Sequence, residues 1–327
     1  MTNTLRWGIM STGTIARAFA EGIASLDNAQ VVAVGSRKQA TADAFADDFD
    51  IPHRHDSYEA LVNDDEVDVI YIGTPHVFHK ENMLLALNAG KHVLCEKPFP
   101  INQAEAQTCI DLAREKDLFL MEALWTRYLP AVVQLRRWLA DGLIGEVLLT
   151  TAHLNVELDP DPQGRIYNPD LGGGALLDVG IYPITFATMV MGYPDTVTSH
   201  ARFASTGVDE QNSLLFAYEN GRSALLSSGV GANHPVEATI KGSKGYIRIH
   251  ENFHHPTQIT IALDGKDSIT HHIPYQSSGL NYEADEVHQC LQAGKRESEH
   301  RTLDDTLQTM ALMDDIRETW GLVYPTE

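Results

Sequence analysis

The chain has 327 residues, more than one compact α/β domain usually holds, and 43% of them are hydrophobic, so two domains with full cores are expected. Its formal charge of −21, from 24 basic against 45 acidic residues, argues against nucleic acid and against anionic membrane surfaces as partners. Any anion it binds must be held by a few local cations or by backbone N–H groups.

The opening "MTNTLRWGIM" has no charged run ahead of a long apolar core, and no stretch approaches about 18 uninterrupted apolar residues, so neither a signal peptide nor a membrane span is expected. Cys95, Cys109 and Cys290 are scattered without disulfide or zinc spacing, which reads as a reduced, cytoplasmic protein. From "LRWGIM" onward, strands alternate with helices. "STGTIARAFAEGI" is helical, "AQVVAVGS" a strand, "ATADAFADDF" helical, and "VDVIYIGTP" the most strand-like run of all. "HKENMLLALNAG" is a helix closed by Gly90, "HVLCEKP" a strand, "NQAEAQTCIDLAREK" a helix capped by Asn102, and "LFLMEA" completes the series. The alternation predicts a doubly wound parallel sheet of Rossmann type, which binds ligands at the carboxyl ends of its strands.

Beyond the helical "AVVQLRRWLADG" the pattern changes to strands with turns between them, "ENG" and "SKG" among the turns, which predicts an α+β domain on an open, mostly antiparallel sheet. The boundary is placed near Glu122, giving a nucleotide-binding domain over 1–121 and a substrate-binding, oligomer-forming domain over 122–327. The last helix, 302–320, is a candidate to pack back on the first domain.

After the first strand comes "GIMSTGTIA", in which Ser11, Gly13 and Ala16 stand at the three small-residue positions of a dinucleotide fingerprint. Gly13 would let the backbone approach a pyrophosphate, and the helix N-terminus behind it offers N–H donors, so Ser11, Thr12, Gly13, Thr14 and Ile15 are candidate cofactor contacts. Serine at the first position weakens the motif, and an ordinary tight turn would share the pattern. The second strand ends in Ser36, Arg37 and Lys38, with no carboxylate for a ribose 2′-hydroxyl. Two cations and a hydroxyl suit a 2′-phosphate, so NADP is expected in preference to NAD. Thr74, Pro75 and His76 follow the third of these strands and Glu96 and Lys97 end the fourth, which adds them to the cofactor-binding candidates. His79, Trp125, Arg127, Arg165 and Tyr167 are candidates to line the substrate.

In "DLGGGALLDVGIYPITFATMVMG" Asp178 and Tyr182 stand four apart, on one side of a helix. Tyr182 reads equally as a packed core aromatic or as a proton acceptor whose phenol, of ordinary pKa ~10, is lowered by an ammonium such as Lys97, with Asp178 orienting Lys97 or bonding a substrate hydroxyl. The histidines of "HENFHHP" and the pair His271–His272 lack a carboxylate or cysteine at ligand spacing and read as exposed and unliganded; no metal is expected.

Three segments in order, "EKP", "MEALWTRYLP" and "LGGGALLDVGIYP", resemble the Gfo/Idh/MocA oxidoreductase family, and the likeness runs along nearly the whole chain. The resemblance implies a Rossmann domain joined to a C-terminal domain whose open sheet often forms a dimer interface, hence a homodimer or higher homo-oligomer. It implies active-site roles for Lys97, Asp178 and Tyr182 and a cis Lys97–Pro98 bond, and the tyrosine is similar to the sugar and dihydrodiol dehydrogenase branch. The expected activity is NADP-dependent hydride transfer from a secondary alcohol of a small cyclic polyhydroxy compound. An aldopyranose of the D-xylose type is the first expectation and a trans-dihydrodiol the second. An inactive NADP(H)-binding sensor is the alternative of another class, although such a protein is expected to have lost one of Lys97, Asp178 and Tyr182.

Overall fold

Strands that are apolar on both sides must be covered on both sides, and this requirement organises the first half of the chain. The structure, a computed structural model, describes residues 4–327. Two compact units emerge, one formed by residues up to Tyr128 together with Gln276–Met310, the other by Leu129–Tyr275 and Ala311–Glu327.

In the first unit β1 (Leu5–Met10), β2 (Ala29–Gly35), β3 (His53–His55), β4 (Val69–Ile72), β5 (His92–Glu96) and β6 (Leu120–Ala123) form a parallel sheet in the order β3-β2-β1-β4-β5-β6. The connecting helices are α1 (Thr14–Ile23), α2 (Gln39–Phe49), α3 (Tyr58–Val62), α4 (His79–Asn88) and α5 (Gln103–Glu115). The order reverses between β1 and β4, which opens a crevice at the carboxyl ends of those strands. β3 and α3 escape the sequence pattern because three and five residues are too few to display a period. Asn102 caps α5 as expected, its side chain accepting from the Glu105 N–H at 2.9 Å.

The boundary differs from the expected one. Residues 276–310 build on the first unit, because α8 (Asn281–Gln292) carries an apolar stripe into its core. Leu280, Ala284, Val287 and Cys290 cluster with Trp7, Phe19, Ile23 and Tyr71. A Cβ on Gly22 would stand 2.9 Å from Ser278 Oγ and 3.0 Å from the Asn281 nitrogen, so α1 meets the start of α8 too closely for any side chain. Further on, Arg301 donates from Nε and Nη2 to Glu122 Oε2 at 2.9 and 2.7 Å, with neither side chain exposed. A buried guanidinium needs its carboxylate, and Glu122 on β6 supplies it. α9 (Leu303–Trp320) begins in this unit, and from Ala311 it belongs to the second.

The second unit starts with α6 (Pro130–Ala140) and centres on a sheet of β7 (Val147–Asn155), β8 (Thr196–Phe203), β9 (Asp209–Ala217), β10 (Ser223–Gly229), β11 (Ala238–Gly242), β12 (Gly245–Ile249), β13 (Gln258–Leu263) and β14 (Ile269–His272). Their order is β14-β13-β12-β11-β7-β10-β9-β8, with β7 and β10 parallel and the other neighbours antiparallel. The two predicted turns are hairpins, with Gly221 at φ 80° and Gly245 at φ 146°. Burial alternates along β9, the signature of a sheet covered on one face. α7 (Ile181–Met191) covers that face. The run Pro169–Met191 is apolar enough to pass for a membrane span by composition, but 83% of its most apolar stretch is buried in the protein, as in a core helix.

Candidate active site

At the carboxyl ends of β1 to β4 the first unit opens a groove of about 630 Å³, within the size range of small-molecule sites. Four loops line it: Ser11, Thr12 and Gly13 after β1, Ser36 and Arg37 after β2, residues 56–59 after β3, and Thr74, Pro75, Phe78, Glu81 and Asn82 after β4. Ser11 has φ 137°, a region that favours glycine, so the serine occupies a backbone shaped for the fingerprint's first glycine at a cost of about 1–3 kcal/mol. Its Oγ accepts the Gly13 N–H at 3.2 Å. A Cβ added at Gly13 would touch only that Oγ, at 3.6 Å, an ordinary contact. Internal packing therefore does not explain the glycine, whereas a pyrophosphate lying against the turn does. Gly13 caps α1 without a side-chain bond, and the first turn of the helix holds no acid, which suits an anion. The groove fits a dinucleotide on these counts.

The corner after β2 offers fewer donors than the sequence suggested. Thr41 Oγ1 donates to the Lys38 carbonyl at 2.8 Å and meets Ser36 Oγ at 2.6 Å, so the Ser36 proton goes to Thr41 and its hydroxyl is left as an acceptor. Arg37 is the cation in the lining; Lys38 is exposed and outside it. Asp56, Glu59 and Glu81 also line the groove, and no sequence signal singled them out. Thr14, Ile15, His76, Glu96 and Lys97 are not among the lining residues.

At the end of β5 the Lys97–Pro98 peptide is cis, as the resemblance implied, and Lys97 is half-buried. Glu96 is 6% exposed and accepts the Tyr71 hydroxyl at 2.6 Å on Oε1 and the Lys97 backbone N–H at 3.3 Å on Oε2. Burial raises its pKa, with the Tyr71 bond and the Lys97 charge pulling it back. Phe19 stacks on the Tyr71 ring at 3.7 Å. Glu283, fully buried on α8, is pushed well above the carboxylate range by burial and then by the charge of Glu96. His79, expected to line the substrate, is buried against the backbone instead. It is 1% exposed; Nε2 lies 2.7 Å from the Thr74 carbonyl and Nδ1 2.9 Å from those of Pro98 and Phe99. The ring ties the end of β4 to the turn after Lys97, and burial lowers its pKa. Trp125 and Arg127 are half-buried in a 3₁₀ turn, Trp125–Tyr128, directly after β6.

In the second unit the glycine loop follows a different logic. Gly173 and Gly174 lie where an added Cβ would come 2.6 Å from the Ile166 carbonyl oxygen and 2.4 Å from Asp209 Oδ1, and Gly174 has φ 120°. A single π turn, Leu176–Gly180, then leads into α7, a feature frequent at functional sites. Asp178 sits in that turn, 7% exposed, and accepts from Arg165 Nη1 at 2.6 Å; Tyr182 follows at 8% exposed. Asp209 props the turn from below. It is fully buried, its Oδ2 accepts the Leu176 N–H at 2.8 Å and Asn212 Nδ2 at 3.0 Å, and Asn212 Oδ1 accepts Ser228 Oγ at 2.8 Å. Burial pushes the Asp209 carboxyl up to about 7, against the pull of the Asn212 and Leu176 bonds.

Two expectations in this unit are corrected. Tyr167 is 4% exposed, with its hydroxyl directed to the Val230 carbonyl at 3.3 Å and Glu210 Oε1 at 3.4 Å, so that hydroxyl is engaged internally. None of the "HENFHHP" histidines is exposed: His250, His254 and His255 are all half-buried, and the His254 ring lies 5.0 Å from that of Tyr182. The run of polar residues hid them, although "FHHP" carries the apolar flanks of a packed corner.

Residues 5–124 match a family model described as an oxidoreductase family with an NAD-binding Rossmann fold, and residues 132–248 match the GFO/IDH/MocA C-terminal domain. The chain is 38% identical to the trans-1,2-dihydrobenzene-1,2-diol dehydrogenase of Xenopus tropicalis, covering 98% of this chain and 99% of that one. It is 35% identical to the human enzyme of the same name, covering 99% of each. Among solved structures, a 3-ketoreductase from Actinomadura kijaniata with NADP and TDP-benzene superposes with TM-score 0.87 at 27% identity over 97% of this chain and 98% of that one. An aldose-aldose oxidoreductase from Caulobacter crescentus with glycerol superposes with TM-score 0.88 over 98% and 100%; at 22% identity that likeness concerns the fold.

Proposed function

We propose, from the premise that the chain belongs to the Gfo/Idh/MocA oxidoreductase family, that it is an NADP-dependent dehydrogenase of a small cyclic trans-diol. The observation that carries the substrate class is the full-length likeness, at 38% identity, to a dihydrodiol dehydrogenase. It reverses the order in which the sequence alone ranked sugar and diol.

The Gly13 turn and the start of α1 would hold the pyrophosphate, Arg37 the 2′-phosphate, and Thr74 and Pro75 the nicotinamide half. Bound NADP would supply the hydride acceptor. The chain supplies binding, orientation and proton transfer. Tyr182 is assigned the proton of the substrate hydroxyl. Because a free phenol, with pKa ~10, is a poor base near neutrality, the reading gives Lys97 the part of the positive charge that favours phenolate. Asp178, oriented by Arg165, is assigned a second substrate hydroxyl.

Reduction of NADP⁺ and of NAD⁺ against trans-diols, aldopyranoses, inositols and hydroxy acids tests this. The expected result is turnover with trans-diols and NADP⁺. Turnover confined to aldopyranoses would replace the substrate, and equal use of NAD⁺ would remove the role of Arg37.

The same reading makes the chain a homodimer through the open face of the second unit's sheet. There the cross-strand partners Leu215 and Leu225 remain 39% and 44% exposed, an apolar pair of the kind interfaces cover. Light scattering should give a dimer mass for the wild type and a monomer mass for Leu225→Asp; a dimer in both cases would assign the interface elsewhere.

A further inference from the structure

We propose that His53, His55 and Asp64 form a binding site for one divalent transition-metal ion of the zinc class. The site belongs to the first unit, and none of its three residues lines the dinucleotide groove.

Alternation along β3 puts His53 and His55 on the same side of the strand, where pairing with Ala33 and Gly35 of β2 fixes them. α3 and the turn after it return the chain so that Asp64 faces both rings. His53 Nδ1 lies 2.6 Å and His55 Nε2 2.9 Å from the same carboxylate oxygen, Asp64 Oδ2. One nitrogen of each ring and one carboxylate oxygen thus lie within 4.8 Å of one another. A pair of ordinary ion pairs does not require this convergence, since a carboxylate offers two oxygens and about four lone-pair sites.

The carboxylate is oriented in advance. Its side chain is 7% exposed, its Oδ1 accepts the Glu66 N–H at 2.9 Å, and Lys91 Nζ anchors the local backbone through the Asp64 and Val67 carbonyls at 2.7 and 2.8 Å. Such outer bonds set ligand orientation and affinity in metal sites. The rings are 37% and 22% exposed, so an ion can enter and keep water in the remaining positions. Two imidazoles, one carboxylate and open positions are a donor set of open zinc sites, and imidazole also suits nickel, copper and cobalt. On binding, the ring protons facing Oδ2 would be released. The two ring nitrogens would move from 2.6 and 2.9 Å to about 3.3 Å from Oδ2, the edge of a tetrahedron with bonds of ~2 Å, a movement that two partly exposed rings can make.

The ion would clamp both ends of residues 53–64, whose middle, 56–59, lines the groove. The His55 carbonyl also accepts the Ser36 N–H at 3.1 Å, so the clamp would stiffen the wall facing Arg37.

The test is calorimetric titration of metal-stripped full-length protein with zinc chloride near neutral pH, together with cobalt(II) absorption in the visible. The expected result is one saturable site with intense cobalt bands, weakened at least about tenfold in His53→Ala and in His55→Gln, and unchanged in His271→Ala. Circular dichroism and NADPH binding check that each variant is folded. No saturable site in the wild type, or an affinity unaltered in both His53→Ala and His55→Gln, would overturn the proposal.

Discussion

The two units use glycine for opposite reasons. At Gly13 of the first unit a side chain would meet nothing of the protein more closely than 3.6 Å, and the backbone is extended, with φ −77° and ψ −178°. At Gly174 of the second, φ is 120° and a side chain would stand 2.4 Å from Asp209. The first glycine keeps room for something that is not protein, while the second lets the protein close on itself and hold a helix turn in place. A binding surface can be built from strand ends and open helix termini, which need no buried charge. A turn presenting Asp178 and Tyr182 must be fixed from behind, and here a buried carboxyl and a packed loop do the fixing.

The largest expected effect bears on what that fixed turn is for. Tyr182→Phe should lower kcat by about 10²–10⁴, the range for a lost acid–base group, while NADPH affinity stays at the wild-type value. Wild-type turnover in the variant would make Tyr182 a packing residue, and the rigidity of the second unit would then need another purpose.

The glycines themselves give the next test. Gly174→Ala should destabilise the protein by about 3 kcal/mol or more, from left-handed backbone strain and a forced displacement of Asp209. Gly13→Ala should leave thermal stability unchanged, or raise it by about 0.4–1 kcal/mol through the unfolded chain, and should weaken NADPH. Loss of stability at Gly13 with NADPH binding intact would erase the distinction between the units.

The same contrast explains how far the sequence could be read. β1, β2, β4 and β5 are apolar on both faces and stand out, as do the strand ends that carry Ser11, Arg37 and Thr74, because position in an alternating fold also places the groove. β3 was too short to show a period, so Asp56, Glu59 and the His53–His55–Asp64 cluster went unnoticed. α8 stands in the second half of the chain, where its stripe of Leu280, Ala284 and Val287 marks a helix but not the unit it joins. A histidine at a strand end looks the same in sequence whether it faces a ligand or, as His79 does, three backbone carbonyls. In the second unit the Asp178–Tyr182 spacing was legible, but Asp209, thirty-odd residues on, was not. Nothing in a strand sequence marks which carboxylate the sheet will bury beneath a loop.

Asp209 therefore supplies the last and smallest test, and its sign follows from burial. Its pKa is about 7 in the folded protein and ~3.9 in an unfolded chain. The folded state keeps a proton that the unfolded state has already released, so the stabilisation this provides is complete below pH ~4 and is lost as pH rises through 7. Between pH 5 and 7 the loss amounts to roughly 2 kcal/mol, or about 4–8 °C in melting temperature for a unit of this size. Asparagine is a neutral stand-in for the protonated acid, and its carbonyl can still accept from the Leu176 and Asn212 N–H groups that Asp209 now bonds. Melting temperatures of Asp209→Asn should accordingly stay flatter than those of the wild type over this interval, the two curves diverging as pH rises. All other titrating groups are common to both proteins, so the divergence isolates this one carboxyl. Parallel curves would mean that Asp209 is ionised at pH 5 already, and that the glycine loop is held by a charge.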